Sequence, residues 1–192
     1  MTMTALAWLG VASGAAAGAV AAMFLVGCFL PRQHVVARTL LLPVPAATVW
    51  ATLVDFPGQP AWRPGLVAVD RLPDSGGVET WRERSGRHAV TFRVVEATPP
   101  GHLVRQVAAD DGPFAGRWEF EIEPVVSPAS SRVTLIERGA IGNPLLRFAN
   151  RFVLGQATGV ESYLNDLARR FGGEPRFIPS LDSQRETDAP PA

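Results

Sequence analysis

The stretch VWATLVDFPGQPAWRPG, Val49 to Gly65, decides the fold. Val49, Trp50, Leu53 and Val54 recur at helical spacing, an apolar face about two turns long. The last nine residues then hold three prolines, two glycines and Trp62, so the helix cannot continue. A chain that stops a short helix this abruptly is turning back to begin a strand at Gly65. Upstream, HVVARTLLLPV (His34 to Val44) reads as a strand ended by Pro43 and Pro45. Pro45 suits the first turn of the helix that follows, where a missing N–H costs nothing.

Downstream, short runs alternate with turn residues. GLVAVDRL (65–72), VETWRERS (78–85), RHAVTFRVVEA (87–97), HLVRQVAA (102–109), AGRWEFEIEPV (115–125) and SRVTLIERGAI (131–141) are expected strands. In the fifth of these, Trp118, Phe120 and Ile122 face one way and Arg117, Glu119, Glu121 and Glu123 the other. Asn143-Pro144 then opens a helix expected to run to Phe171, where Gly172-Gly173 stops it. At about 28 residues it exceeds the usual globular length and should cross the whole sheet. The proline-rich polar remainder, 173–192, is expected to be disordered.

The 18 arginines and 18 acids cancel, lysine is absent, and no basic stripe forms, which argues against nucleic acid as a partner. His34, His88 and His102 stand apart from any ligand set, so neither a metal nor a cofactor is implied. No charge precedes Arg32, and Ala5 to Leu30 would extend about 39 Å as a helix, against a hydrocarbon core of about 30 Å. Residues 1–31 therefore read as a retained transmembrane anchor and 32–172 as one domain. Arg32 and Arg38 favour a cytoplasmic domain by the positive-inside rule. Leu25-Val26-Gly27-Cys28 resembles a bacterial lipobox, which leaves a lipoprotein modified at Cys28 as the alternative. Gly10, Gly14 and Gly18 make a small-residue face on which two anchors could pack into a homodimer.

The order of one strand, a broken helix, six strands and a long helix resembles the START-like helix-grip superfamily, in its polyketide cyclase/dehydrase and lipid-transport branch. The segments that carry the resemblance are PVPAATVWATLVDFPGQPAWRPG, IERGAIGNPLLRFANRFVLGQ and ESYLNDLARRFG, and it covers about Val35 to Phe171. It implies an α+β fold in which a curved antiparallel sheet of about seven strands wraps the long helix. A cavity between them would take a hydrophobic small molecule or lipid. Trp62, at the expected cavity mouth, is either a gate or a residue packed against the long helix.

Trp81, Phe92, Trp118, Phe120 and Phe152 are expected either to line that cavity or to fill it. Glu137 continues the face of Val133 and Leu135, so it should enter the cavity while Arg138 points outward. Gln156 and Tyr163, seven residues apart, should look from the helix toward the sheet. Asp74-Ser75-Gly76-Gly77 is read as a turn rather than a protease nucleophile loop. Glu79 and Glu83 share the strand face of Trp81, as solvated charges or a carboxylate pair. Binding is thus the leading expectation. A cyclase/dehydrase-like enzyme using Glu137 and an interaction module dimerising through its anchor are the alternatives.

Overall fold

The computed structural model describes residues 2–107, 114–125, 129–173 and 177–178. Helix α1 (Thr2–Phe29) leads into β1 (Gln33–Leu42), α2 (Ala46–Val54) and a 3₁₀ turn (Gln59–Ala61). Six strands follow: β2 (Ala68–Ser75), β3 (Val78–Ser85), β4 (His88–Thr98), β5 (His102–Val107), β6 (Phe114–Pro124) and β7 (Ser131–Ile141). The chain then forms α3 (Pro144–Ala149), a π-helical segment (Asn150–Leu154), α4 (Thr158–Arg170) and a two-residue strand, β8 (Phe177–Ile178).

One antiparallel sheet runs β2-β3-β4-β5-β6-β7-β1-β8, a meander closed by the first strand. β1 pairs with β7 along its whole length, from Gln33 opposite Ala140 to Leu42 opposite Ser131. Register slips between Leu72 and Ser75 and between Val94 and Glu96 bend the strands that carry them. The concave face holds α4, whose Val160, Tyr163, Leu164, Leu167 and Ala168 are buried at helical spacing. They meet Leu40 and Leu42 of β1, Leu103, Phe120, Ile122, Val133 and Leu135 of the sheet, and Val49 and Leu53 of α2. Leu164 is fully buried, and truncating such a residue to alanine costs about 2–5 kcal/mol. This is the helix-grip architecture expected from the sequence.

Three local expectations need correction. The expected continuous helix after Asn143 is in pieces: α3 passes into π-helix, Gly155 turns at φ 83°, and α4 begins at Thr158. The Thr158 hydroxyl donates to the Gly155 carbonyl at 3.0 Å and takes up a backbone group freed by the break. The break also swings Phe152 off the sheet-facing side, so it is 59 % exposed against Phe148 instead of lining the interior. Within the segment expected to be disordered, Phe177–Ile178 pair with Thr39 and Leu40 at the free edge of β1.

The ends of this region behave as expected. Asn143 caps α3, its side chain accepting from the Leu145 and Leu146 amides. Gly172, at φ 69°, closes α4, and the Gly173 amide donates back to Ala168. By length and composition, Ala12–Phe29 of α1 is apolar enough to cross a membrane. A side chain at Gly14 or Gly18 would meet nothing within 4 Å, whereas one at Gly27 would overlap the Pro144 carbonyl where α1 meets α3.

Candidate functional site

Strand alternation carries Leu103 and Arg105 to the same face of β5, and α4 covers both. Arg105 is only 5 % exposed, and a charge that deep needs a partner. Glu83, inward on β3, accepts from its Nη1 at 3.1 Å. Arg63, just past the helix break, donates to the same carboxylate at 2.9 and 3.3 Å. Burial is the largest single influence on Glu83 and pushes its pKa up. The two guanidiniums together outweigh it and hold the group below the usual carboxylate range. Gln59 is fully buried and fixes Arg63: its Oε1 accepts from Nη1 at 2.7 Å while its Nε2 donates to the Leu53 carbonyl at 3.0 Å.

Aromatic rings enclose this cluster. The Arg105 guanidinium lies 4.9 Å from the Phe92 ring centroid, 5.0 Å from Phe120, 5.4 Å from Tyr163 and 5.5 Å from Trp118, within cation–π range of each. Arg63 covers the Tyr163 ring at 4.6 Å. Trp62 and Trp118 meet that ring edge-on at 5.6 and 5.5 Å. Tyr163 is buried, which pushes its phenol above the ordinary range, and its hydroxyl has no hydrogen-bond partner. The Nε of Arg105 is likewise buried and unpartnered. Such groups are costly to bury alone, and here two of them, both donors at neutral pH, lie in one aromatic shell.

The other expected residues fall into two groups. Trp81 packs on Phe56 at 5.1 Å, and Phe92 does so at 5.2 Å, forming a second cluster that touches the first through Phe92 and Arg105. Glu137 does enter the space between sheet and helix. It pairs with His34 at 3.5 Å and lies beside Gly159 of α4 and close to the Trp118 ring, while Arg138 is exposed as expected. Gln156 accepts from Arg151 and borders two cavities of about 350 and 340 Å³. The first lies between the start of β1, including His34, and Arg147, Asn150 and Arg151; the second lies between β1 and α4. His34, which lines the first cavity, thus connects through Glu137 and its cross-strand neighbour Trp118 to the Arg105 cluster.

Sequence reasoning had not singled out Gln59, Arg63 or Arg105, although two of the three carried a signal. Arg105 follows Leu103 in phase on an apolar strand, and Arg63 is adjacent to Trp62. Of the two carboxylates on the Trp81 face, Glu83 is the buried one. Glu79 instead accepts from the Trp81 indole at 2.8 Å.

The fold recurs in solved structures. The Zhui aromatase/cyclase from Streptomyces sp. R1128 is 14% identical with a TM-score of 0.59, covering 73% of this chain and 94% of its own. A START superfamily protein from Mycobacterium smegmatis is 16% identical at 0.57, covering 72% and 97%. A protein from Thermobifida fusca is 22% identical at 0.55, covering 72% and 93%. At these identities the likeness shows the fold alone. No curated protein matches the sequence. Residues 33–172 match the family described as polyketide cyclase / dehydrase and lipid transport, from the first residue of β1 to the glycine that closes α4, and the chain belongs to that family.

Proposed function

We propose that this protein binds a hydrophobic small molecule or lipid between the sheet and α4, beside a membrane in which α1 anchors it, with the domain on the cytoplasmic side. The observation that carries this reading is the buried Arg105 among Phe92, Phe120, Trp118 and Tyr163, with the Arg105 Nε and the Tyr163 hydroxyl both unpartnered. An apolar ligand bearing a carbonyl or anionic head would satisfy both donors and stack on the rings. Trp62 and Trp118 would move aside from the Tyr163 ring to admit it. The two cavities bordered by Gln156 supply open space, one at the start of β1 just past α1 and the other between β1 and α4.

The test is mass spectrometry of the full-length protein extracted in mild detergent, with displacement of anilinonaphthalene sulfonate, an apolar anion, as the second readout. The expected result is a co-purifying hydrophobic molecule that Arg105→Met loses. Repeated recovery of an unliganded domain that also fails to bind the probe would overturn the reading.

The pairing of His34 with Glu137 beside Trp118 favours a second reading, a cyclase- or dehydrase-like enzyme. A carboxylate and an imidazole 3.5 Å apart, the imidazole lining a cavity, are a competent proton-transfer pair. That reading expects Glu137→Gln to abolish turnover of a cyclisable polyketide-like substrate and to leave binding intact. Unchanged turnover would remove it.

A further inference from the structure

In the π-helical segment, Phe152, Val153 and Leu154 are 59, 71 and 64 % exposed, three consecutive large apolar side chains in one short turn. Single exposed apolar residues are ordinary on a protein surface, but a contiguous patch marks a contact. The neighbours extend it: the Phe148 ring lies 4.9 Å from Phe152, and Leu145 is exposed beside Val20, Phe24 and Leu25 of α1. The close approach of Gly27 to Pro144 lays the start of α3 against the C-terminal end of α1. The patch is therefore continuous with the one helix, among the described residues, that is able to enter a bilayer.

The charges of this segment turn the other way. Arg147 is buried and donates to the Leu30 carbonyl at 3.3 Å, at the foot of α1, while its Nε has no partner. With Arg151 and Arg32 it lines the cavity of about 350 Å³, whose lining, among the described residues, includes no carboxylate. An apolar tip, an arginine row behind it and a spanning helix alongside match the layers of an anionic leaflet: acyl boundary, phosphates and hydrocarbon core.

We propose that Leu145, Phe148 and Phe152 to Leu154 form a second membrane contact, docked into the interface of the anionic bilayer that α1 enters, with Arg32, Arg147 and Arg151 at the lipid phosphates. This rests on the reading of α1 as a membrane span. It gives the cavity behind the segment an opening at headgroup level, so a lipid reaches the domain without crossing water. The break that corrected the expected long helix then has a use. A straight helix would have turned Phe152 toward the sheet, and the π-helix turns it outward.

The experiment uses the full chain with Cys28→Ser and one new cysteine, labelled with an environment-sensitive nitrobenzoxadiazole dye. The protein is reconstituted in vesicles of phosphatidylethanolamine and phosphatidylglycerol that carry spin-labelled lipids. Val153→Cys reports the segment and Leu154→Cys repeats the measurement. Val20→Cys reports α1, and Val90→Cys reports an exposed strand position on β4. The expected result is blue-shifted emission at Val153→Cys and Leu154→Cys, quenched severalfold more than at Val90→Cys by spin labels near the headgroup. Val20→Cys is quenched by labels deep in the chains. If Val20→Cys is quenched while the segment labels behave like Val90→Cys, the span stands and the second contact is refuted. Blue-shifted segment labels that no lipid quenches would assign the patch to a protein partner and equally refute it. An unquenched Val20→Cys would remove the span itself, and this proposal with it.

Discussion

Replacing Glu83 with glutamine keeps the side-chain shape and removes the carboxylate that both Arg63 and Arg105 pair with. Three hydrogen bonds converge on it, from Arg63 at 2.9 and 3.3 Å and from Arg105 at 3.1 Å. The glutamine oxygen still accepts, but its amide N–H groups face guanidiniums that also only donate. The Arg105 side chain is 6 % exposed and that of Arg63 14 %, so water replaces little of what is lost. Removing one member of a buried pair costs about 3–5 kcal/mol. With the Glu83 side chain 17 % exposed, the lower end applies, about 3 kcal/mol, out of a total domain stability of about 5–15 kcal/mol.

The assay is urea unfolding of the full chain in detergent at neutral pH. Tryptophan emission follows it, because Trp62 and Trp118 both pack on Tyr163 within this cluster. The pH dependence supplies a control. The Glu83 carboxyl is held below its ordinary range in the folded state, so its contribution is present above the unfolded pKa and is lost as pH falls through the lowered value. The gap between wild type and Glu83→Gln should therefore narrow in acid. A loss below about 1 kcal/mol, the value of an exposed pair, or a gap unchanged in acid, would refute the view that Glu83 neutralises a buried cationic cluster.

Other outcomes follow from neighbouring geometry. Tyr163→Phe removes a buried, unpartnered hydroxyl, so it should leave stability unchanged or raise it by up to about 1 kcal/mol in urea unfolding, while weakening retention of the co-purifying ligand. His102 sits between Glu96 and Glu119, 2.9 Å from each, and the Glu119 hydrogen bond leads in raising its pKa. NMR titration should find it above the ordinary histidine range. The stability it lends is full below the unfolded pKa and lost as pH rises through the folded one; His102→Gln should cost less than about 1 kcal/mol at this partly exposed site. Gly155→Ala places a Cβ on a backbone at φ 83°, and thermal unfolding should show a loss of about 1 kcal/mol or more. A Gly155→Ala variant as stable as wild type would mean that the turn between the π-helix and α4 is not held in that conformation.

The elements of the sheet and their faces were legible because strand alternation is a local property. Phe120 and Ile122 on β6, and Val133, Leu135 and Glu137 on β7, sit where the period of two puts them. The abrupt end of α2 ahead of Pro57 was equally readable, since proline and glycine act on their own backbone. The break at Gly155 was not read, because apolar spacing continued across it. Phe148 and Phe152 keep a helical interval even though they face outward. Periodicity reports which residues share a side, and cannot say whether that side meets protein or lipid.

Of the candidate site, the aromatic shell was anticipated from sequence and its charged centre was not. Phe92, Trp118 and Phe120 announce themselves as large aromatics of the strands, Tyr163 by its helical phase toward the sheet, and Trp62 by its place in the helix break. Arg63, Glu83 and Arg105 come from a loop and two strands separated in sequence by 20 and 22 positions. Each alone reads as a solvated charge. By itself the sequence determined the fold family, the antiparallel order and an apolar N-terminal helix, all of which rest on short-range patterns of volume, hydrophobicity and backbone freedom. Only the tertiary structure decided that one carboxylate holds two arginines inside an aromatic shell, and that three apolar residues near the foot of α1 face outward. Both depend on distances between remote segments, which are set when the sheet curls around α4.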